Sequence, residues 1–76
     1  MEKRIITIMS KVFGIDDLKI NESSSPDNIQ QWDSLRHMQL IIALENEFNI
    51  EIDGNRIEEM MNYSNIVKVI KDLQGK

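Results

Sequence analysis

The sequence predicts an all-α fold: a small four-helix bundle with a long first loop and a short third helix, one domain over residues 1–76. Three observations predict it. A chain of 76 residues has room for one domain and no second. Its composition, 41% hydrophobic and 29% charged, is that of a globular chain rather than a disordered one. Apolar residues recur at helical spacing in separate stretches, and the stretches are joined by one long and two short connections.

Residues 2–13 read as the first helix, because Ile5, Ile8, Met9 and Val12 follow i, i+3, i+4, i+7. Gly14 stands where a left-handed C-terminal cap is wanted. Residues 15–33 lack periodicity and contain the turn-rich run Asn21-Glu22-Ser23-Ser24-Ser25-Pro26-Asp27. A loop this long inside a small domain must be functional or pinned, and Ile15, Leu18, Ile20, Ile29 and Trp32 are the residues expected to pin it. Trp32 should be at least half buried there, beside Ile29.

The second helix is expected over Ser34–Phe48, capped by Asp33 or Ser34, either of which can accept a bond from the first free N–H groups. The third, roughly Arg56–Met61, follows an Asp53-Gly54 turn. The fourth begins near Ser64, the expected N-cap, and runs through Ile66, Val67, Val69, Ile70 and Leu73 to Gly75. On the second helix Leu40, Ile41, Leu44 and Phe48 form an arc wide enough to face a core. Leu35, Met38 and Ile42 extend that arc toward the side from which Ser34 projects. Two readings of the extension stand: it packs on Met60 and Met61, or it is an exposed apolar strip for a partner.

The net charge is −4, and its placement says more than its sum. Residues 33–59 hold seven acids against Arg36 and Arg56, a net of −5. Such a segment repels phosphate backbones and attracts basic protein surfaces, so no nucleic-acid partner is expected; it also serves plain solubility. The chain has no cysteine, which excludes disulfides and thiolate chemistry and suits a reducing cytoplasmic setting. No apolar run nears the roughly 20 residues that span a bilayer, so no membrane insertion is expected.

Catalytic and metal constellations fail on inspection. Ser34, His37 and Asp27 offer the residue types of a hydrolase, but nothing supplies an oxyanion hole, and His37 projects toward the Leu44–Phe48 side as a partly buried structural histidine. The run Asn49-Ile50-Glu51-Ile52-Asp53-Gly54 starts like a calcium loop, yet its twelfth position is Met60 where a bidentate Glu is required. One histidine and no cysteine make a zinc site improbable. No enzyme activity and no metal are therefore expected. The informative segment is Trp32-Asp33-Ser34-Leu35, where a serine opens a helix whose positive end favours an attached phosphate, with Asp33 adding an opposing charge.

At Asp33-Ser34-Leu35 the sequence resembles the acyl carrier protein family, and the likeness covers nearly the whole chain. It includes the first helix ending at Phe13-Gly14-Ile15 and the long loop. It continues with Leu40-Ile41-Ile42-Ala43-Leu44-Glu45-Asn46-Glu47-Phe48, Ile50-Glu51-Ile52, and finally Ile66-Val67 and Ile70. The resemblance implies a monomeric carrier with a 4′-phosphopantetheine cofactor donated by coenzyme A and attached to Ser34. Asp33 and Leu35 would be recognised by a phosphopantetheinyl transferase. An acyl- or aminoacyl-loading enzyme would place the cargo on the arm's thiol as a thioester, and downstream transferases would collect it. The partner surface would be the second helix, with Met38, Ile42, Glu45 and Glu47.

Two departures separate the sequence from carriers of fatty-acid synthesis. Arg36 and Gln39 stand where those carriers have acids, and Trp32 where they commonly have a small residue. The Trp-Asp-Ser-Leu-x-His pattern resembles freestanding carriers of specialised or cell-envelope biosynthesis. The rival reading is an unmodified helical adaptor of the same fold that docks basic surfaces through its acidic face.

Overall fold

The computed structural model describes residues 1–75, which form α1 (Glu2–Phe13), α2 (Ser34–Phe48), α3 (Gly54–Glu59) and α4 (Tyr63–Gln74). The all-α, four-helix architecture is as the sequence predicts, with a long first connection and a short third helix. No helix among the described residues is long and apolar enough to cross a membrane.

α1 and α2 start and stop where the sequence places them. Gly14 ends α1 in the left-handed region, φ 67°, and its N–H donates to the Ser10 carbonyl at 2.9 Å. Asn49 ends α2 at φ 53°, a conformation that asparagine tolerates better than most side chains. α3 begins two residues before the expected Arg56 and ends two before Met61. Asp53 is its N-cap, accepting from the Arg56 N–H at 3.0 Å, so the helix starts at Gly54. Ser64 is not the N-cap of α4. That role belongs to Asn62, which accepts from the Asn65 N–H at 2.8 Å, while the Ser64 hydroxyl donates to the Glu22 carbonyl.

The core is continuous. Ile5, Met9 and Phe13 of α1 meet Leu40, Ile41, Leu44 and Phe48 of α2, closed by Met60 and by Ile66, Val69 and Ile70 of α4. The long loop is fastened to this core by Ile20, Ile29 and Trp32, all buried, with Ile15 packed at its edge. Leu18 does not pin it. It lies in a 3-10 turn, Asp17–Lys19, and is 88% exposed, because the Asp16 side chain caps that turn and swings it outward.

The loop also satisfies its own polar backbone. Ser24 is buried; its hydroxyl accepts from the Asn21 N–H, and its carbonyl accepts from the Tyr63 N–H at 2.9 Å. Asn28 donates to the Ser23 carbonyl and accepts from the Ser25 N–H. A loop stapled in this way holds a fixed path up to the start of α2 without regular structure.

Tyr63 ties three segments, since besides its backbone bond to Ser24 its hydroxyl donates to Glu2 at 3.3 Å. Burial, and then the Glu2 charge, raise its pKa above the ordinary 10.0. A phenol whose folded pKa exceeds its unfolded one stabilises the fold below the unfolded value and loses that contribution as pH rises through the folded one. Tyr63 is the sole tyrosine, so its tyrosinate absorbance can be read directly. Its titration midpoint in the native protein should lie above that in urea, and Tyr63→Phe should remove this part of the alkaline loss of stability.

Candidate functional site

The start of α2 gathers the residues singled out in the sequence. Asp33 is the N-cap: its Oδ1 accepts from the Arg36 N–H at 2.8 Å, and its Oδ2 faces the Arg36 guanidinium at 3.3 Å. The capping task therefore falls to Asp33. Ser34, the first residue of the helix, is exposed, with a hydroxyl not spent on the cap. The Asp33 charge that would oppose a neighbouring phosphate is turned onto Arg36. The first turn of α2 contains no acidic residue, so the capping Asp33 carboxylate, itself answered by Arg36, is the acid at the positive end of the helix dipole beside Ser34.

Behind Ser34 the chain is held by a buried polar relay. Trp32 Nε1 donates to His37 Nδ1 at 3.0 Å, which leaves the proton of the neutral imidazole on Nε2, where it donates to the Ile57 carbonyl at 3.0 Å. The indole also stacks near the imidazole and leans on Phe13, with ring centroids 4.9 Å apart in the latter pair. Loop, α1, α2 and α3 thus meet at two side chains. Trp32 and His37 are both buried, as their structural reading requires, and both ring nitrogens of His37 are engaged, so His37 is not poised as a base for Ser34. The link itself escaped sequence reasoning. Trp32 lies outside the helix and His37 inside it, so no periodic pattern joins them.

One turn along, Leu35, Met38 and Ile42 form a stripe at i, i+3, i+7 beside Ser34. They are 69%, 45% and 55% exposed, so the extension of the apolar arc is a surface strip rather than part of the core. Of the two methionines that would cover it on the packing reading, Met60 is buried in the core and Met61 is exposed.

The acids assigned to the same face differ from the open acidic edge expected. Glu45 turns inward to accept from the Ile52 N–H at 2.9 Å, fastening the segment that follows α2. Glu47 is paired with Arg4 of α1 at 2.8 Å. Their negative charge is partly committed within the protein.

Comparisons with known proteins match nearly the whole chain. A family model described as "Phosphopantetheine attachment site" matches residues 3–72. An "Acyl carrier protein" from Chlamydia caviae is 32% identical over 75 residues, covering 99% of this chain and 97% of that one. The solution structure of a holo acyl carrier protein from Geobacter metallireducens superposes with a TM-score of 0.86 at 24% identity, covering 97% of this chain and 85% of that one, a likeness of fold.

His37→Ala should orphan the Trp32 N–H and the Ile57 carbonyl at once, a cost of about 2–4 kcal/mol. The expected readings are a lower urea midpoint and faster amide hydrogen exchange around α3, since the variant frees the α3 backbone from α2.

Proposed function

The chain belongs to the phosphopantetheine-attachment family of acyl carrier proteins, whose cofactor is a covalent 4′-phosphopantetheine, and we propose that Ser34 is the attachment residue. The observation that carries this reading is the exposed serine hydroxyl at the first position of α2, released from capping by Asp33. Residues 1–76 form the single carrier domain. It works as a monomer in the cytoplasm and performs no catalysis of its own.

The site suits the group. Ser34 Oγ would supply the nucleophile, forming a P–O bond to the pantetheine-side phosphorus of coenzyme A as the bond from that phosphorus to the bridging pyrophosphate oxygen breaks and adenosine 3′,5′-bisphosphate leaves with that oxygen. Its proton leaves to a base of the phosphopantetheinyl transferase. The phosphodiester charge that results sits at the N-terminus of a helix of 15 residues, where the dipole and free N–H groups favour an anion. Asp33 keeps the helix start ordered while the transferase reads Asp33 and Leu35. When bound, the group supplies a terminal thiol on which an acyl or aminoacyl cargo is carried as a thioester.

The partner surface is the strip of Leu35, Met38 and Ile42. Its exposure beside Ser34 supports a hydrophobic contact with the transferase, the loading enzyme and downstream transferases. Glu45 and Glu47 contribute at its far end, tempered by their internal bonds to Ile52 and Arg4. Arg36 and Gln39 on the near part of the helix favour clients in specialised or cell-envelope biosynthesis over those of bulk fatty-acid synthesis, which meet acids there.

Two variants test the reading. Ser34→Ala should abolish the mass gain seen after incubation with coenzyme A and a transferase, with helical content unchanged because Asp33 still caps α2; modification at another residue would refute the assignment. Met38→Glu should slow modification or loading at least several-fold by placing a charge in a contact that must be desolvated. Its melting temperature should hold, since an exposed position changes stability by only about 0.5 kcal/mol.

A further inference from the structure

In a molecule of net charge −4, one face of α1 is basic. Lys3, Arg4, Thr7, Ile8 and Lys11 line an open cleft of about 290 Å³, bounded on the α2 side by Glu47. Arg4 is spent inside the protein: its guanidinium bonds the Glu47 carboxylate and carbonyl and lies 4.5 Å from the centre of the Phe48 ring. Glu47 is thereby neutralised, and the charges the cleft presents are Lys3 and Lys11. Among the described residues the ion pairs are all made by arginines, so neither lysine has a carboxylate partner. Ile8, half-buried, gives the cleft an apolar floor between them.

We infer that this cleft is a second docking surface, which takes an acidic segment of a partner protein. Lys3, Thr7 and Lys11 stand at i, i+4, i+8 on one stripe, and eight helical residues span about 12 Å. The complementary segment carries two carboxylates at that separation, with an apolar side chain between them to cover Ile8. Charge complementarity selects a short segment over a long polyanion. Screening confines each lysine's field to about 8 Å at physiological salt, so an acidic peptide lying along α1 meets these charges and little else. A nucleic acid or an anionic bilayer extends much further, over a molecule whose net charge is −4.

The cleft is separate from Ser34 and the apolar strip and meets the proposed partner surface only at Glu47. Ser34 and Glu47 lie near opposite ends of α2, thirteen residues or about 20 Å apart along the helix. A partner seated on α1 leaves Ser34 and its apolar strip open, so this protein can be held by one protein while another works on its arm.

The test uses the ¹⁵N-labelled protein and a synthetic helical peptide bearing two glutamates eight residues apart with leucine midway, and a matched peptide with glutamines. Amides over residues 3–11 and around Glu47 should shift saturably with the first peptide and not with the second. Affinity should fall by about tenfold between low salt and about 0.5 M. Lys3→Glu with Lys11→Glu should abolish the shifts, and Lys3→Gln with Lys11→Gln should weaken them. Both pairs should keep the parent melting temperature, because the side chains replaced are exposed. Ser34→Ala should bind the peptide as the parent does, which separates this surface from the attachment reading. The inference is overturned by an absence of saturable shifts at millimolar peptide, or by shifts that survive charge reversal. It is equally overturned if the same lysines bind phosphatidylglycerol vesicles or a DNA duplex more tightly than the peptide, or if they mediate dimerisation of this chain.

Discussion

A single imidazole holds the candidate site together. His37 accepts from the Trp32 indole and donates to the Ile57 carbonyl, so one side chain of α2 fixes the end of the long loop and the body of α3. The first bond is buried and the second partly so, where an unmade bond carries a desolvation penalty, and this makes the arrangement discriminating: a backbone shift that breaks the Trp32 bond leaves a buried polar group stranded. No buried side-chain nitrogen or oxygen lacks a partner among the described residues. The relay sits one turn beneath Ser34. The order of the chain around Ser34 therefore rests on bonds made behind it, by Trp32 and His37.

Ser34 and Asp33 divide two tasks that one residue would perform badly. A serine at the cap position would have its hydroxyl tied to a backbone N–H and would be a poorer nucleophile. With aspartate one residue earlier, the cap is made by a stronger acceptor, its charge is answered by Arg36, and the hydroxyl faces solvent. The apolar strip follows the same economy of position. Leu40, Ile41 and Leu44 are turned to the core, while Leu35, Met38 and Ile42 lie on the solvent side, so one helix builds the bundle and keeps an apolar strip exposed.

Much of this was legible in the sequence because it is local. The bounds of α1 and α2 follow from apolar periodicity and from the residues at their ends, and the position of Ser34 at a helix start follows from the same reading. α3 and α4 begin earlier than expected because their starts are governed by Asp53 and Asn62, whose capping bonds compete with the equally plausible signals of Gly54 and Ser64. Leu18 looked like an anchor by residue type alone, and a capped turn of three residues points it to solvent. The committed state of Glu45 and Glu47 was illegible for a different reason. Glu47 is answered by Arg4, 43 residues away, and Glu45 by a backbone N–H, and neither pairing leaves a trace in spacing.

The self-stapled loop between α1 and α2 has a bearing on how the chain folds. Its internal bonds join residues two to five apart, as in Asn21 with Ser23, Ser24 with Asn21, and Asn28 with Ser23, so they form with little loss of chain entropy. At its junction with α4, where Glu22 meets Ser64 across 42 residues and Ser24 meets Tyr63, the loop takes part in a distant closure. Much of the hydrogen bonding of this segment is thus local, and its distant ties are the junction with α4 and the burial of Ile20, Ile29 and Trp32 in the core. A short chain can in this way carry a long connection whose hydrogen bonds are mostly of low sequence separation, the kind that favours rapid folding.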